Sequence, residues 1–407
     1  MVHDGEPVSS PALARDVRVI SLVGSAHFVS HFFQLALPPL FPLMRDEFQV
    51  SWTALGLLVS LFYGASGIGQ VIGGFVVDRL GARPVLFSGM GLLSGAIALT
   101  GLAPTYWALL PIALLAGLGN AVFHPADYSM INALVSPGRV GRAYSVHGIG
   151  GTLGYASGPA VMVAAATVWG WRAAAIAAGL AGLAVTALLA SVAPASREAE
   201  VSHRARPASF ASDVRMLLTA PIIGAFVYFL LYATAQVGFQ TFSVAALVAI
   251  HAVPISAVAG ALTGYLLGGA AGIVAGGAFA DRASRPDLLV SLGLGAAALL
   301  ILLASHLASL VLVTVVTTAA GFCSGLIAPS RDLLVRSVTP PGASGKVFGF
   351  AYAGLDAGST MTPLIFGWLL DHGEPRAVFG VVAGLLLLTM LAVVPMRRRR
   401  VPTAARI

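Results

Sequence analysis

The sequence predicts an all-α membrane protein of twelve transmembrane helices in two pseudo-symmetric six-helix bundles, and three observations carry that prediction. Of 407 residues, 57% are hydrophobic, only 10% are charged and 47 are glycines, whereas a soluble domain carries about 25% charged residues. Apolar runs long enough for a hydrocarbon core of about 30 Å fall at roughly 17–43, 51–77, 84–103, 106–135, 142–168, 172–193, 218–250, 255–280, 287–305, 308–335, 345–370 and 376–396. The chain also carries a faded copy of itself. Adding 204 to Pro125, Gly141, Arg142, Gly154 and Pro159 lands on Pro329, Gly345, Lys346, Gly358 and Pro363. Two related halves in a membrane chain point to a transporter whose site lies between its repeats.

The division follows: an N-terminal tail at 1–16, a bundle at 17–193, a polar linker at 194–217, a second bundle at 218–396 and a basic tail at 397–407. With both termini inside, twenty Lys and Arg residues fall on cytoplasmic segments, and only Arg45, Arg172 and Arg376 fall outside. That asymmetry obeys the positive-inside rule and implies a multi-pass protein of the inner (cytoplasmic) membrane. The net charge of +7 is therefore a topology signal, and no nucleic-acid partner is expected. Residues 1–16 hold Asp4, Glu6 and Asp16 and no apolar core, so a cleaved signal peptide is not expected. The lone Cys323 allows neither an intrachain disulfide nor a cysteine metal site.

Span one carries His27, His31 and Gln34 on one helix face. Two readings stay open, a hydrogen-bonded packing pair or a cavity lining; ionisable groups cost roughly 2.5–3.5 kcal/mol near the bilayer centre and normally face protein or water there. Span two ends in GGFVVDRLGARP, with Gly74, Asp78, Arg79, Gly81 and Arg83. Its counterpart before span nine, GGAFADRASRP, gives Gly277, Asp281, Arg282 and Arg285. Span four brings Asn120, Phe123, His124, Pro125, Asp127 and Tyr128, with a kink expected at the proline. Span five opens with Arg142 and continues through Tyr144, His147, Thr152 and Tyr155 to GYASGP. At about 1.5 Å rise per residue, His27 and His124 lie about 5 Å to the cytoplasmic side of the midplane, and Asp127 and His147 about 10 Å. The four could share one pocket.

In the second half, Tyr228, Tyr232, Gln236 and Gln240 recur every four residues along span seven, and Tyr265 of span eight can join that face. Asp356 stands close to the middle of span eleven with no basic residue within a turn. A carboxyl in such surroundings is cheapest when neutral, which suits a proton carrier; the alternative is a neutral acid bonded to a neighbouring helix. Arg331 and Asp332 read as local charge neutralisation.

The loop holding Asp78, Arg79, Gly81 and Arg83 resembles the G-x-x-x-D-R-x-G-x-R signature of the major facilitator superfamily, and the resemblance covers the chain through its twelve spans and its repeat. It implies the major facilitator fold, with Gly74, Asp78, Arg79, Gly81, Arg83, Arg142, Asp281, Arg282 and Lys346 as gate elements. Within the superfamily, SAHFVSHFF, GLGNAVFHPAD and GRVGRAYSVHGIGG look similar to the fosmidomycin-resistance efflux family, with His27 and Phe123-His124-Pro125 as matching positions. The chain departs from that pattern: Ala126 stands where the family has an acid, Asp127 follows, and His31 replaces another expected acid. Gly154-x-x-x-Gly158-Pro159 resembles the antiporter motif of the fifth helix, without its following glycines.

The expected function is proton-coupled efflux of a small polar or amphipathic organic compound by alternating access. Proton-coupling candidates are Asp356, Asp127, His27, His31, His124 and His147, since histidine ordinarily titrates near pH 6.5. Cavity candidates are Gln34, Asn120, Phe123, Tyr128, Tyr155, Tyr228, Tyr232, Gln236, Gln240 and Tyr265. The partners are a small-molecule substrate, protons and the lipid bilayer; a monomer is expected, with no cofactor and no resident metal. The alternative is an importer of a small organic acid, a metal chelate or a metal ion, the last through His27, His31, His124 and Asp127. No nucleophile and base stand together, and no enzyme is expected.

Overall fold

The structure, a computed structural model, describes residues 10–136, 139–193, 215–280, 285–340 and 344–396. Every regular element among them is helical. Helix α1 (Ser10–Gln34) leads through a tight turn at Pro38–Leu40 into the short α2 (Phe41–Phe48). Then come α3 (Trp52–Leu80), α4 (Ala82–Leu102), the broken pair α5 (Tyr106–Asn120) and α6 (Phe123–Leu134), and α7 (Val140–Val192). The second half comprises α8 (Ala220–His251), α9 (Ile255–Ala280), α10 (Pro286–Ala304), the broken pair α11 (Leu310–Leu326) and α12 (Ala328–Ser337), α13 (Ser344–Asp371) and α14 (Pro375–Val393).

Ten stretches are long and apolar enough to cross a bilayer, and two features raise the crossings to twelve. Helix α7 reverses at Gly170, whose φ of +81° is cheap only for glycine. Before it, Gly150, Gly154 and Gly158 follow the carbonyls of Gly24, Phe28 and Phe32 in order, so the first leg runs parallel to α1. Beyond it, Gly179 meets Ala98 and Gly182 meets Ser94, so the second leg runs antiparallel to α4. The twelfth crossing is α13, which packs against α3 and α8. Protein contacts of that kind let a helix carry Asp356 and other polar groups that lipid would penalise.

The repeat is structural as well as sequential. Gly354 and Gly358 pack on the carbonyls of Phe226 and Leu230 as Gly150 and Gly154 pack on those of Gly24 and Phe28. A Cβ at Gly154 would stand 2.3 Å from the Phe28 oxygen, and one at Gly358 2.5 Å from that of Leu230, so both helix pairs depend on backbone approach that a side chain would prevent. The prolines repeat their effect too. Each clashes with the carbonyl four residues back; the first helix accordingly breaks at Ala121–Val122 ahead of Pro125, and the second at Ile327 ahead of Pro329.

Arg15, Arg18, Arg79, Arg83, Arg139, Arg142, Arg331 and Arg336 gather at one end, and Arg45, Arg172 and Arg376 at the other, the arginine-poor end. Exposed Trp107, Trp169 and Trp368 also lie toward the arginine-poor end, where an interfacial aromatic belt would form. There Arg172 ties the first bundle together, bonding Glu47 at 2.7 Å and the carbonyls of Gly101 and Ala103 at 3.1 and 2.7 Å. At the opposite end buried Asp16 bonds Arg139 at 3.0 Å and the Ser136 amide at 3.2 Å. The halves meet along α3 with α13 and α7 with α9.

Candidate functional site

Five of the ionisable candidates converge in the first bundle. His27 and His31 come from α1, His124 and Asp127 from α6, and His147 from α7. The rings of His27 and His147 stack 3.6 Å apart, with His31 4.1 Å and His124 5.5 Å from His27. His147 Nε2 lies 3.1 Å from Asp127 Oδ2, both buried, and His27 Nδ1 lies 2.7 Å from the His147 carbonyl. His124 Nδ1 stands 3.2 Å from Gln70 Oε1. Gly151 makes room for the group, since a Cβ there would lie 2.7 Å from both His27 and His31. Tyr128, 42% exposed, covers His124 and His147 at ring distances of 6.1 and 5.2 Å.

Nearer the arginine-poor end, Gln34 is the hub of a hydrogen-bond network. Its Oε1 accepts from Tyr155 at 2.6 Å and Tyr63 at 3.4 Å. Its Nε2 donates to Ser30 and to Asn120 Oδ1, both at 3.3 Å. Asn120 also accepts from Ser30 at 2.7 Å and donates to Ser66 at 2.9 Å. Phe123 is buried below and packs rather than presenting itself.

The second bundle repeats the motif. Gln236 donates to Tyr232 at 2.9 Å and accepts from Tyr265, while Tyr232 and Tyr265 reach Ser324 at 3.5 Å. Gln34 and Gln236 are 202 residues apart, as are Tyr63 and Tyr265, and Ser30 and Tyr232. Each bundle thus holds a glutamine whose amide is fixed by phenols and hydroxyls. Tyr228 is buried with its hydroxyl unpartnered, and Gln240 makes no hydrogen bond among the described residues. The expectation of one polar stripe along span seven therefore narrows to Tyr232 and Gln236.

Asp356 lies on the seam itself. A Cβ on Gly67 of α3 would sit 3.2 Å from Asp356 Cβ, and among the described residues the carboxyl accepts no hydrogen bond. Further along the seam Gly64 faces Thr360. At the arginine-poor end the halves are latched: Asp371 of α13 accepts from the amides of Trp52 and Thr53 at 2.6 and 2.9 Å and from the Thr53 hydroxyl at 2.5 Å. Toward the opposite end, nothing stands within 4 Å of a Cβ at Gly74.

Of the gate candidates, Gly81 turns the chain between α3 and α4 at φ +87°. The guanidinium of Arg83 donates to the Ala190 carbonyl at 2.9 Å, capping the end of α7. Arg79 and Arg142 are exposed. Asp281 and Arg282 lie outside the described residues, as do the side chains of Asp78 and Lys346.

Sequence reading missed Tyr63, Ser66, Gln70 and Ser324, although the 202-residue repeat relates Tyr63 to Tyr265 and would have found it. It also gave Arg331 only a neutralising role. Arg331 does bond Asp332 at 3.0 Å, yet its guanidinium lies 5.0 Å over Phe229 and 6.0 Å from the Tyr232 ring, 204 residues on from Asp127.

Two six-helix bundles related by an internal repeat, packed along α3 with α13 and α7 with α9, are the architecture of a membrane transporter. The family model of the Major Facilitator Superfamily matches residues 23–253 and 225–407, and the chain belongs to that family. It is 26% identical over 405 residues to the fosmidomycin resistance protein of Escherichia coli (strain K12), covering 96% of this chain and 95% of that protein. Among solved structures, the fold is shared with an inward-facing, unoccupied bacterial homologue of the human lysosomal transporter Spinster, at TM-score 0.71, 17% identity and 95% coverage of each chain. It is shared equally with the nucleoside transporter NupG, at TM-score 0.72 and 14% identity, covering 94% of this chain and 99% of that one.

Proposed function

We propose that the protein is a proton-coupled exporter of a small polar or amphipathic organic compound, monomeric in the inner membrane with both termini in the cytoplasm. The observation that carries the coupling is the place of Asp356: an acid whose carboxyl accepts no hydrogen bond among the described residues, on the seam where α13 rests on Gly67 of α3. A neutral carboxyl can stay in that contact, whereas an ionised one calls for water or a counter-charge. Protonation therefore favours this arrangement, latched at the arginine-poor end. Loss of the proton loosens the seam and favours the opposite one. The Gln34 and Gln236 networks hold polar groups toward the cargo from both sides, with Asn120, Tyr155, Tyr232 and Tyr265 as fixed partners.

The positive-inside asymmetry supports an orientation with the latched end outside; in that orientation this arrangement is closed to the outside, and the cytoplasmic side is the one from which an exporter loads. The resistance named for the E. coli relative supports the outward direction. A cycle follows in which cargo leaves as a proton enters, the protonated carrier turns inward, and the proton is lost before the next cargo binds.

The test uses the purified chain in proteoliposomes with an acidic lumen and a neutral bath, with fosmidomycin and other small polar antibiotics as cargo. An antiporter accumulates cargo in the lumen while the lumen becomes more alkaline, and Asp356→Asn abolishes the dependence on the pH gradient while retaining cargo exchange. Cargo driven out of the lumen would instead establish symport and import. Gradient-driven accumulation that survives Asp356→Asn would remove the role given to that acid.

A further inference from the structure

The histidine cluster holds more lone pairs than the protein uses. Ligand nitrogens of His27, His31 and His124 lie within 4.8 Å of one another. A carbonyl oxygen can only accept, so the 2.7 Å contact from His27 Nδ1 to the His147 carbonyl places the proton on Nδ1 and leaves Nε2 with a bare lone pair. The same argument applies to His124, whose Nδ1 faces Gln70 Oε1 at 3.2 Å. His27 Nε2 and His31 Nδ1 are buried without a hydrogen-bond partner. Buried acceptors left bare are costly, and Gly151, by lacking a side chain, is what lets these two rings approach at all.

We propose that His27, His31 and His124 form a binding site for a divalent transition-metal ion of the zinc and cobalt class. Three features of the site support it. All three ligands are imidazoles, which suit zinc, cobalt, nickel and copper and not magnesium or calcium. Two of them already make the outer-shell contact typical of metal-bound histidine, the second ring nitrogen donating to an oxygen acceptor. Charge compensation is one ring away, because His147, stacked on His27 at 3.6 Å, leads to buried Asp127, whose Oδ1 has no partner. Nitrogens on one tetrahedral ion at about 2.0–2.1 Å are about 3.4 Å apart, so from separations within 4.8 Å the rings have to close by up to about 1.4 Å. Small side-chain rotations on α1 and α6 supply that movement. The site stands whether or not the carrier is driven by protons, and it makes the metal a ligand of the first bundle, gathering α1 onto α6.

The test is cobalt titration of the purified full-length chain in detergent, with any affinity tag removed. Tetrahedral cobalt bound by imidazole gives strong visible absorption. The expected result is one cobalt per chain, displaced by one zinc, with cobalt affinity lowered at least 10-fold in His124→Gln and about 10-fold or more in Gln70→Ala, which leaves every ligand in place. His251→Gln, remote on α8, keeps the wild-type spectrum. Should His27→Gln fail to fold, the half-buried His124 and Gln70 variants, checked by size-exclusion and thermal melting, still decide. Absence of a tetrahedral spectrum with the wild-type chain, or a spectrum unchanged in His124→Gln, overturns the site and makes the cluster a packing of neutral rings. No flux is read, so failure here is separate from failure of the transport reading.

Discussion

Gln34 and Gln240 are both glutamines at bilayer depth, and sequence alone treats them as equals. Their surroundings differ. Gln34 accepts from Tyr155 and Tyr63 and donates to Ser30 and Asn120, so Gln34→Ala takes the acceptor from two phenols, while Ser30 and Asn120 keep each other. Leaving such groups unpaired costs about 1–3 kcal/mol, and the variant should melt earlier in detergent and bind cargo more weakly. Gln240→Ala removes no hydrogen bond among the described residues and should stay within about 0.5 kcal/mol of wild type. Parallel melting curves decide; equal losses would mean that the Gln34 network does not support the first bundle. Residue by residue, the histidines and Asp127 could be placed together from depth along their helices, since rise per residue is fixed. The partners of Gln34 could not, because spacing within one helix does not say which faces of different helices meet. Arg331 shows the same limit: its neighbour Asp332 is visible in the sequence, but the stack on Phe229 of α8 is not.

Helices are more legible than contacts, because length, apolar content and proline position act locally. The twelve crossings and the repeat follow from those properties, and so does the presence of a break in the fourth crossing. Its location is the finding: Pro125 disrupts the carbonyl four residues back, so the helix parts at Ala121–Val122. Interhelix distance has no local signal except small residues. At Gly154 a Cβ would be 2.3 Å from the Phe28 oxygen, while at Gly74 it would meet nothing within 4 Å. Gly154→Val should therefore push α7 from α1 and sharply reduce folded protein in the membrane, and Gly74→Ala should leave the folded yield unchanged. Fluorescence-detected size exclusion of the two variants measures this directly. Normal yield for Gly154→Val would show that the two helices can separate without loss of the fold.

At the scale of the whole molecule, the halves pack closely at the arginine-poor end, where Gly56 lies against the Pro363 carbonyl and Gly367 against Thr53, and the hydrogen bonds across it converge on one side chain. Asp371 accepts three hydrogen bonds from the first turn of α3, where amide donors and the helix dipole both favour a carboxylate. Such charge-assisted bonds are worth about 1.5–3 kcal/mol each. They exist only while that end is closed, so they bias the equilibrium between the two arrangements rather than the stability of either bundle. A loss of about 1.4 kcal/mol in that bias changes the population ratio about 10-fold. Asp371→Ala should then raise the time that the latched end spends open. The readout is the labelling rate of Thr360→Cys, which faces Gly64 on the seam, by a membrane-impermeant maleimide in cells, in a Cys323→Ser background. Labelling should accelerate several-fold with Asp371→Ala added, and Asp371→Asn, which keeps an acceptor oxygen, should fall between. Because the latch and Asp356 share α13, the accelerated variant should also need less alkaline conditions to turn over. An unchanged labelling rate would move control of the closed end from Asp371 to the packing of α3 on α13.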